Sequence, residues 1–185
     1  MINKVEMMGD IERVLYSEEQ LHTRIKEVGA QISKDYYGKC PVLVGVLKGV
    51  VPFFAAMSQA ITIPLEEDFM CVSSYEGTES TGTLTFRKDV DVDITGRHVL
   101  ILEEILDSGR TLKGIVELLK SRNPASVKIC TLLDKPEGRK VELSADYVCY
   151  NVPNEFVVGF GLDYDGYYRN LPFVGVVKPE VYQNN

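Results

Sequence analysis

Apolar residues fall along this chain in two rhythms, and the rhythms alternate after residue 40. Leu21, Ile25, Val28 and Ile32 recur at helical spacing. Ser17 followed by Glu18, Glu19 and Gln20 makes a capping box ahead of them, so a helix is predicted from there to about Tyr37, with Gly38 ending it. Pro41 to Leu47 is apolar without a break in period, which predicts a strand buried on both faces. Val50 then leads into a helix to about Gln59, with Pro52 in its first turn. Leu65 to Ser74 and Thr83 to Phe86 predict two strands around a polar, glycine-bounded loop. Val99 to Leu102 predicts a short strand, and Leu112, Ile115, Val116, Leu118 and Leu119 an amphipathic helix beginning at Thr111. Further strands are predicted over Ser126 to Leu133, Asp146 to Tyr150 and Leu171 to Lys178. The first 16 residues predict a loose start, with Met7 and Met8 packing on a neighbour, and the polar tail predicts a frayed end. Strand and helix in alternation predict an α/β fold with a mainly parallel sheet. With neither a long repeat nor a linker, one domain is expected over residues 1–185.

Composition narrows the classes. Hydrophobic residues make up 45% and charged residues 25%, as in a soluble globular chain. A net charge of −7 argues against a broad nucleic-acid surface. No apolar run approaches the roughly 20 residues of a membrane helix, and the N-terminus lacks a leader's apolar core. Cys40, Cys71, Cys130 and Cys149 are widely spaced without a C-x-x-C pair. They predict reduced, mostly buried thiols and a cytoplasmic setting. Asp89, Asp91 and Asp93 alternate with valines but lead into no calcium-loop pattern, so a solvated linker is predicted. The histidines, His22 and His98, fall in no chemical motif, which argues against histidine-based catalysis.

The chemistry gathers at one stretch. Val99 to Leu102 is followed by two adjacent carboxylates, Glu103 and Glu104, then by Asp107, Ser108, Gly109, Arg110 and Thr111 at a helix start. Main-chain amides at a helix start, with the Ser108 and Thr111 hydroxyls, suit a phosphate. The acidic pair suits sugar hydroxyls or a hard cation. Together they imply a phosphorylated sugar, with a metal. The plain alternative is a capped helix start, with Ser108 or Asp107 bonding the first turn. Against it stands the cost of two like charges losing water at the end of an apolar strand.

An apolar strand, two acidic residues, two apolar residues and Asp-Ser-Gly-x-Thr resemble the 5-phosphoribosyl-1-diphosphate (PRPP) motif of type I phosphoribosyltransferases. Leu47-Lys48-Gly49, Ser73-Ser74-Tyr75, Leu133-Asp134-Lys135 and Phe156-Val157-Val158-Gly159, followed by Asp163 and Arg169, resemble the hypoxanthine-guanine members. The match runs in order from about Tyr16 to Lys178. The resemblance implies the type I fold, with a hood formed by about residues 1–16 and 150–185 and a flexible lid over about 74–83. It implies Mg²⁺-dependent transfer of 5-phosphoribosyl from PRPP to hypoxanthine or guanine, giving IMP or GMP and pyrophosphate, in a homodimer or homotetramer.

By the same resemblance the 5′-phosphate lies on Asp107 to Thr111, and Glu103 and Glu104 position the ribose. Glu103, Glu104 and Asp163 bind metal, and Asp107 is the general base. Lys48, Gly49, Ser74, Tyr75 and Arg169 hold pyrophosphate, around a Leu47–Lys48 peptide that can be cis. Lys135 donates to the purine 6-oxo group, Phe156 stacks on the ring, the Val157 backbone reads its edge, and Asp163 lies nearby. Without the resemblance these residues have plain readings. Lys48, Lys135 and Arg169 are then surface cations, Asp163 a turn residue, Phe156 a core aromatic and residues 75–82 a hairpin loop. Glu104 stands where the family has aspartate, and Val50 where it has a small or hydroxyl residue.

Two other classes compete. A non-catalytic PRPP-binding regulator would carry an appended domain or a basic surface, and would not need Lys135, Phe156, Asp163 and Arg169. Other nucleotide enzymes and hydrolases would carry G-x-G-x-x-G, a P-loop or G-x-S-x-G, none of which occurs.

Overall fold

The computed structural model describes residues 7–74 and 84–183. The predicted lid over 74–83 therefore lies outside the described residues, except for Ser74 at a strand end. In chain order the elements are β1 (Ile11–Tyr16), α1 (Glu18–Asp35), β2 (Val42–Leu47), α2 (Val51–Ala60), β3 (Glu66–Ser74) and β4 (Leu84–Lys88). There follow β5 (His98–Leu106), α3 (Arg110–Lys120), β6 (Ser126–Asp134), β7 (Tyr147–Asn151), β8 (Val157–Val158), β9 (Val174–Val177) and α4 (Pro179–Tyr182).

The central sheet runs β4-β3-β2-β5-β6-β7. It is parallel throughout except for the β3–β4 pair. Period-two alternation divides its side chains between two faces. Leu43, Leu100 and Leu102 face the layer containing α1 and α2. Val42, Val44, Val99 and Ile101 face Leu112, Ile115 and Leu119 of α3. The α1 cap forms as the sequence predicts, Gln20 N–H donating to Ser17 Oγ at 3.3 Å and Ser17 N–H to Gln20 Oε1 at 2.9 Å. Gly29 lets α1 meet α2 closely, since a Cβ there would stand 2.7 Å from that of Ala60. Strand order reverses between β2 and β5, so β3 and β4 extend one way and β6 and β7 the other. Ligands in open α/β sheets bind at the carboxyl ends of such a pair.

Several boundaries differ from the sequence reading. β5 does not stop at Leu102 but continues to Leu106, because β6 keeps pairing it through Glu103↔Thr131, Ile105↔Leu133 and Leu106↔Asp134. The acidic pair thus lies within a strand. Residues 11–16 are not loose: β1 pairs antiparallel with β9, which also pairs with β8. Met7 does pack, against this three-stranded sheet's own cluster, while Met8 is exposed. Within the predicted frayed tail, residues 179–182 form the short helix α4, opened by Pro179. Cys130 and Cys149 are buried, but Cys40 is exposed and Cys71 partly so. The segment after β4 is fastened rather than a free linker. The buried Asp68 carboxylate accepts the N–H groups of Asp91 (2.6 Å) and Val92 (3.0 Å), and Asp89 pairs with Arg122.

Candidate active site

At the end of β5 the chain turns through Asp107, Ser108 and Gly109, whose φ of 76° is the left-handed conformation glycine tolerates best. α3 starts at Arg110, and no side chain caps it. The capped-turn alternative is therefore not what the fold uses. A cavity of about 270 Å³ opens over this turn. Glu103, Glu104, Asp107, Ser108, Gly109 and Thr111 all line it, with Val46 and Leu47 of β2 opposite. Arg110 points into solvent.

The β2 side supplies a cis Leu47–Lys48 peptide, an exposed Lys48 and a buried Gly49. Gly49 has to be small, because a Cβ there would fall 1.9 Å from Glu104 Oε1. Gly161 closes over it, where a Cβ would fall 1.8 Å from the Gly49 carbonyl. Val50 is wholly buried in the core, so it offers a ligand no side-chain contact. Arg169 lies beside these residues, its Nη1 donating to the Gly161 carbonyl and its Nη2 paired with Asp163 Oδ1, both at 2.7 Å. Their loop is folded tightly: Phe160, Asp165 and Tyr168 have φ of 48°, 50° and 70°, sparsely populated for such residues. Tyr168 is anchored there, its hydroxyl donating to Asp10 at 2.8 Å.

The electrostatics are those of a site short of positive charge. Desolvation, then the charge of Glu104 and a hydrogen bond to it, push the Glu103 carboxyl well above the usual carboxylate range. Desolvation also raises Glu104, opposed by hydrogen bonds and by the Arg169 charge. Glu104 Oε2 is buried without a hydrogen-bond partner. An orphaned carboxylate oxygen beside a second carboxyl, with Asp163 close enough to raise Glu104 further, is a donor set that fits a hard cation. Among the described residues no three acids, histidines or cysteines already converge on one point, so such an ion would need ligand oxygens as well.

Lys135 directly follows β6, beside the turn. Its ammonium stands 3.5 Å from Asp107 Oδ2 and donates to the Glu155 carbonyl at 3.2 Å. Phe156 follows at once, stacked on Tyr182 at 4.9 Å and edge-on to Tyr164. Val157 is buried in β8. The Glu155 side chain pairs with Arg13 of β1, so the three-stranded sheet props this wall. Ser74 contributes its β3 backbone, and Tyr75 lies outside the described residues.

The predicted residues that are described, Ser74 aside, thus gather around one crevice, and the Arg110 side chain is exposed beside the turn. Sequence reasoning missed Gly138 and Arg139, which pack against Asp107 and its neighbours. A glycine and an arginine in a loop carry no local signature. It also missed Arg13 and Tyr182, which reach the site only through pairings between the chain's two ends.

The phosphoribosyl transferase domain profile matches residues 15–165. The hypoxanthine-guanine phosphoribosyltransferase of Streptococcus pneumoniae is 56% identical over 177 residues, covering 95% of this chain and 98% of that protein. The enzyme of the same name from Streptococcus mutans is 58% identical over 174 residues, covering 94% and 97%. A crystal structure of a hypoxanthine phosphoribosyltransferase from Staphylococcus aureus matches with a TM-score of 0.93 at 51% identity, covering 98% of this chain and 99% of that one. The Trypanosoma cruzi hypoxanthine phosphoribosyltransferase in complex with the product IMP matches at 0.88 and 45% identity, covering 94% and 97%. With its uncapped turn, acidic pair and parallel sheet on the page beside these likenesses, the chain belongs to the phosphoribosyl transferase domain family and is a phosphoribosyltransferase.

Proposed function

We propose that the enzyme serves purine salvage, transferring 5-phosphoribosyl from PRPP to N9 of hypoxanthine or guanine and releasing pyrophosphate with IMP or GMP. One observation carries the oxopurine reading: the Lys135 ammonium, 3.5 Å from Asp107, stands beside the uncapped turn. N7 and the 6-oxo group are neighbours on one edge of an oxopurine, so a carboxylate and an ammonium side by side match that edge. Adenine would put its 6-amino donor against a donor, which disfavours it. The names of the Streptococcus relatives and the IMP-bound Trypanosoma enzyme support the same substrates.

The residues divide the work. The amides of Asp107 to Thr111 and the hydroxyls of Ser108 and Thr111 hold the 5′-phosphate, at the positive end of α3. Glu103 and Glu104 take the ribose hydroxyls. Phe156 stacks on the purine and the Val157 main chain reads its edge. Lys48, Gly49 and Arg169, with Ser74 and Tyr75 of a closing lid, hold the pyrophosphate and stabilise its charge as the C1–O bond breaks. Asp107 takes the purine proton at N7 while N9 bonds to C1. Mg²⁺ would be held by Glu103, Glu104 and Asp163 together with substrate oxygens, and supplies positive charge to the leaving group. The β1-β9-β8 sheet is the hood of a single domain, working as a homodimer or homotetramer in the cytoplasm.

A spectrophotometric assay with PRPP, Mg²⁺ and each of hypoxanthine, guanine, xanthine and adenine tests this reading. Turnover with hypoxanthine or guanine is expected. Its absence would refute the reading, and preference for adenine would remove Lys135 from its role.

A further inference from the structure

The segment after β6 is strapped across the back of the Asp107–Gly109 turn. Lys135 N–H donates to the Leu106 carbonyl and Lys140 N–H to the Ser108 carbonyl, each at 3.0 Å. Between these two bonds Arg139 reaches inward. Its Nη1 donates to the Leu106 carbonyl at 2.8 Å and to the Asp107 carbonyl, while its Nη2 pairs with Asp134 Oδ1. Only 15% of its side chain is exposed, and Asp134 on β6 is nearly as enclosed. The turn has no slack on this side, since a Cβ on Gly109 would lie 3.3 Å from Arg139 Cδ.

The planarity of the peptide decides what this does. In a trans peptide the carbonyl of one residue and the N–H of the next point in opposite directions. Fastening the carbonyls of Leu106, Asp107 and Ser108 to the strap therefore turns the N–H groups of Asp107, Ser108 and Gly109 the other way. Those three residues line the cavity.

We infer that Arg139 is a positioning residue: it touches no substrate, but holds successive peptides from behind so that their amides face the 5′-phosphate. A guanidinium suits this task because its rigid planar fork holds its donors to two carbonyls and a carboxylate in fixed directions, whereas an ammonium is a compact charge on a flexible stem. The inference rests on the phosphate-binding reading of the turn proposed above.

Titration calorimetry with IMP and with inosine, which differ only in the 5′-phosphate, separates positioning from general support. Wild type should bind IMP more tightly than inosine. Arg139→Ala should cut that preference by about tenfold or more while leaving the inosine affinity within about twofold. Arg139→Lys should recover it only in part, and methylguanidinium added to Arg139→Ala should raise IMP affinity alone. Equal loss of both ligands, or an unchanged preference, overturns the inference. If Arg139→Ala does not fold, the preference measured on Arg139→Lys decides in the same way. Wild type indifferent to the phosphate would remove the phosphate site, and this inference with it. A discriminating wild type matched by its variants would remove Arg139 alone.

Discussion

Asp107 is kept in place by a gap as much as by a contact. Lys135 stands 3.5 Å from its Oδ2 on one side. On the other, Gly138 leaves room that a single methyl would fill, since a Cβ there would lie 1.8 Å from Asp107 Oδ1. Gly138→Ala should therefore push the carboxylate off its position. A general base contributes about 10²–10⁴-fold to rate, so steady-state assays should show kcat lowered by about tenfold or more. Asp107→Asn keeps the shape but removes the base proposed above, and kcat should fall by about 10²-fold or more with little change in KM for PRPP. The two effects share one carboxylate and should not add. A double variant slower than Asp107→Asn by the full Gly138→Ala factor would show that Gly138 acts elsewhere. Lys135 and Asp107 can be picked out of the sequence as candidates because their neighbours form motifs. Gly138 cannot be, because its importance is a distance to a residue 31 positions away.

Elements were legible where burial dictated pattern and illegible where pairing did. Val99 to Leu102 announces a strand because both its faces are covered. Glu103 and Glu104 look like the strand's end, and only the ladder with β6 carries it to Leu106. β1 is short, and its alternation is confused by charge; its partner β9 lies at the far end of the chain. The β3–β4 pair shows a further element-scale device in Asp68. Burial alone would raise this carboxyl. The N–H groups of Val92, Phe69 and Asp91 and the Lys88 ammonium outweigh it and hold Asp68 below its usual range. A depressed carboxylate contributes stability that is fully present above its unfolded value, near 3.9, and lost as pH falls through the folded value. Urea midpoints should thus drop on acidification below about pH 4. In Asp68→Asn that acid-dependent loss should be smaller, and the variant should already be less stable at pH 7 by about 2 kcal/mol, the scale of charge-assisted bonds left unmade. An acid slope equal to wild type would mean that Asp68 is not the group responsible.

At the scale of the whole molecule the crevice is assembled from two sheets that share no strand. The turn after β5 and Lys135 directly follow strands of the six-stranded sheet. Phe156 and Val157 lead into β8 of the three-stranded one, and the loop with Asp163 and Arg169 lies between β8 and β9. The reversal of strand order between β2 and β5 sets the crevice's place, and no local pattern encodes it, because it depends on which strands pair. A bound nucleotide would rest its phosphate on one sheet and its base on the other. Binding to the folded state alone stabilises by about 2.7 kcal/mol at a ligand concentration of 100 Kd. For a chain of this size each kcal/mol moves Tm by about 2–4 °C. Saturating IMP should therefore raise Tm by about 5–10 °C in a single transition, read by calorimetry. Hydrogen exchange should slow both at the turn after β5 and in the loop holding Asp163 and Arg169. Protection confined to the turn would mean that the base is not seated against the three-stranded sheet, and would detach Phe156 and Val157 from the site.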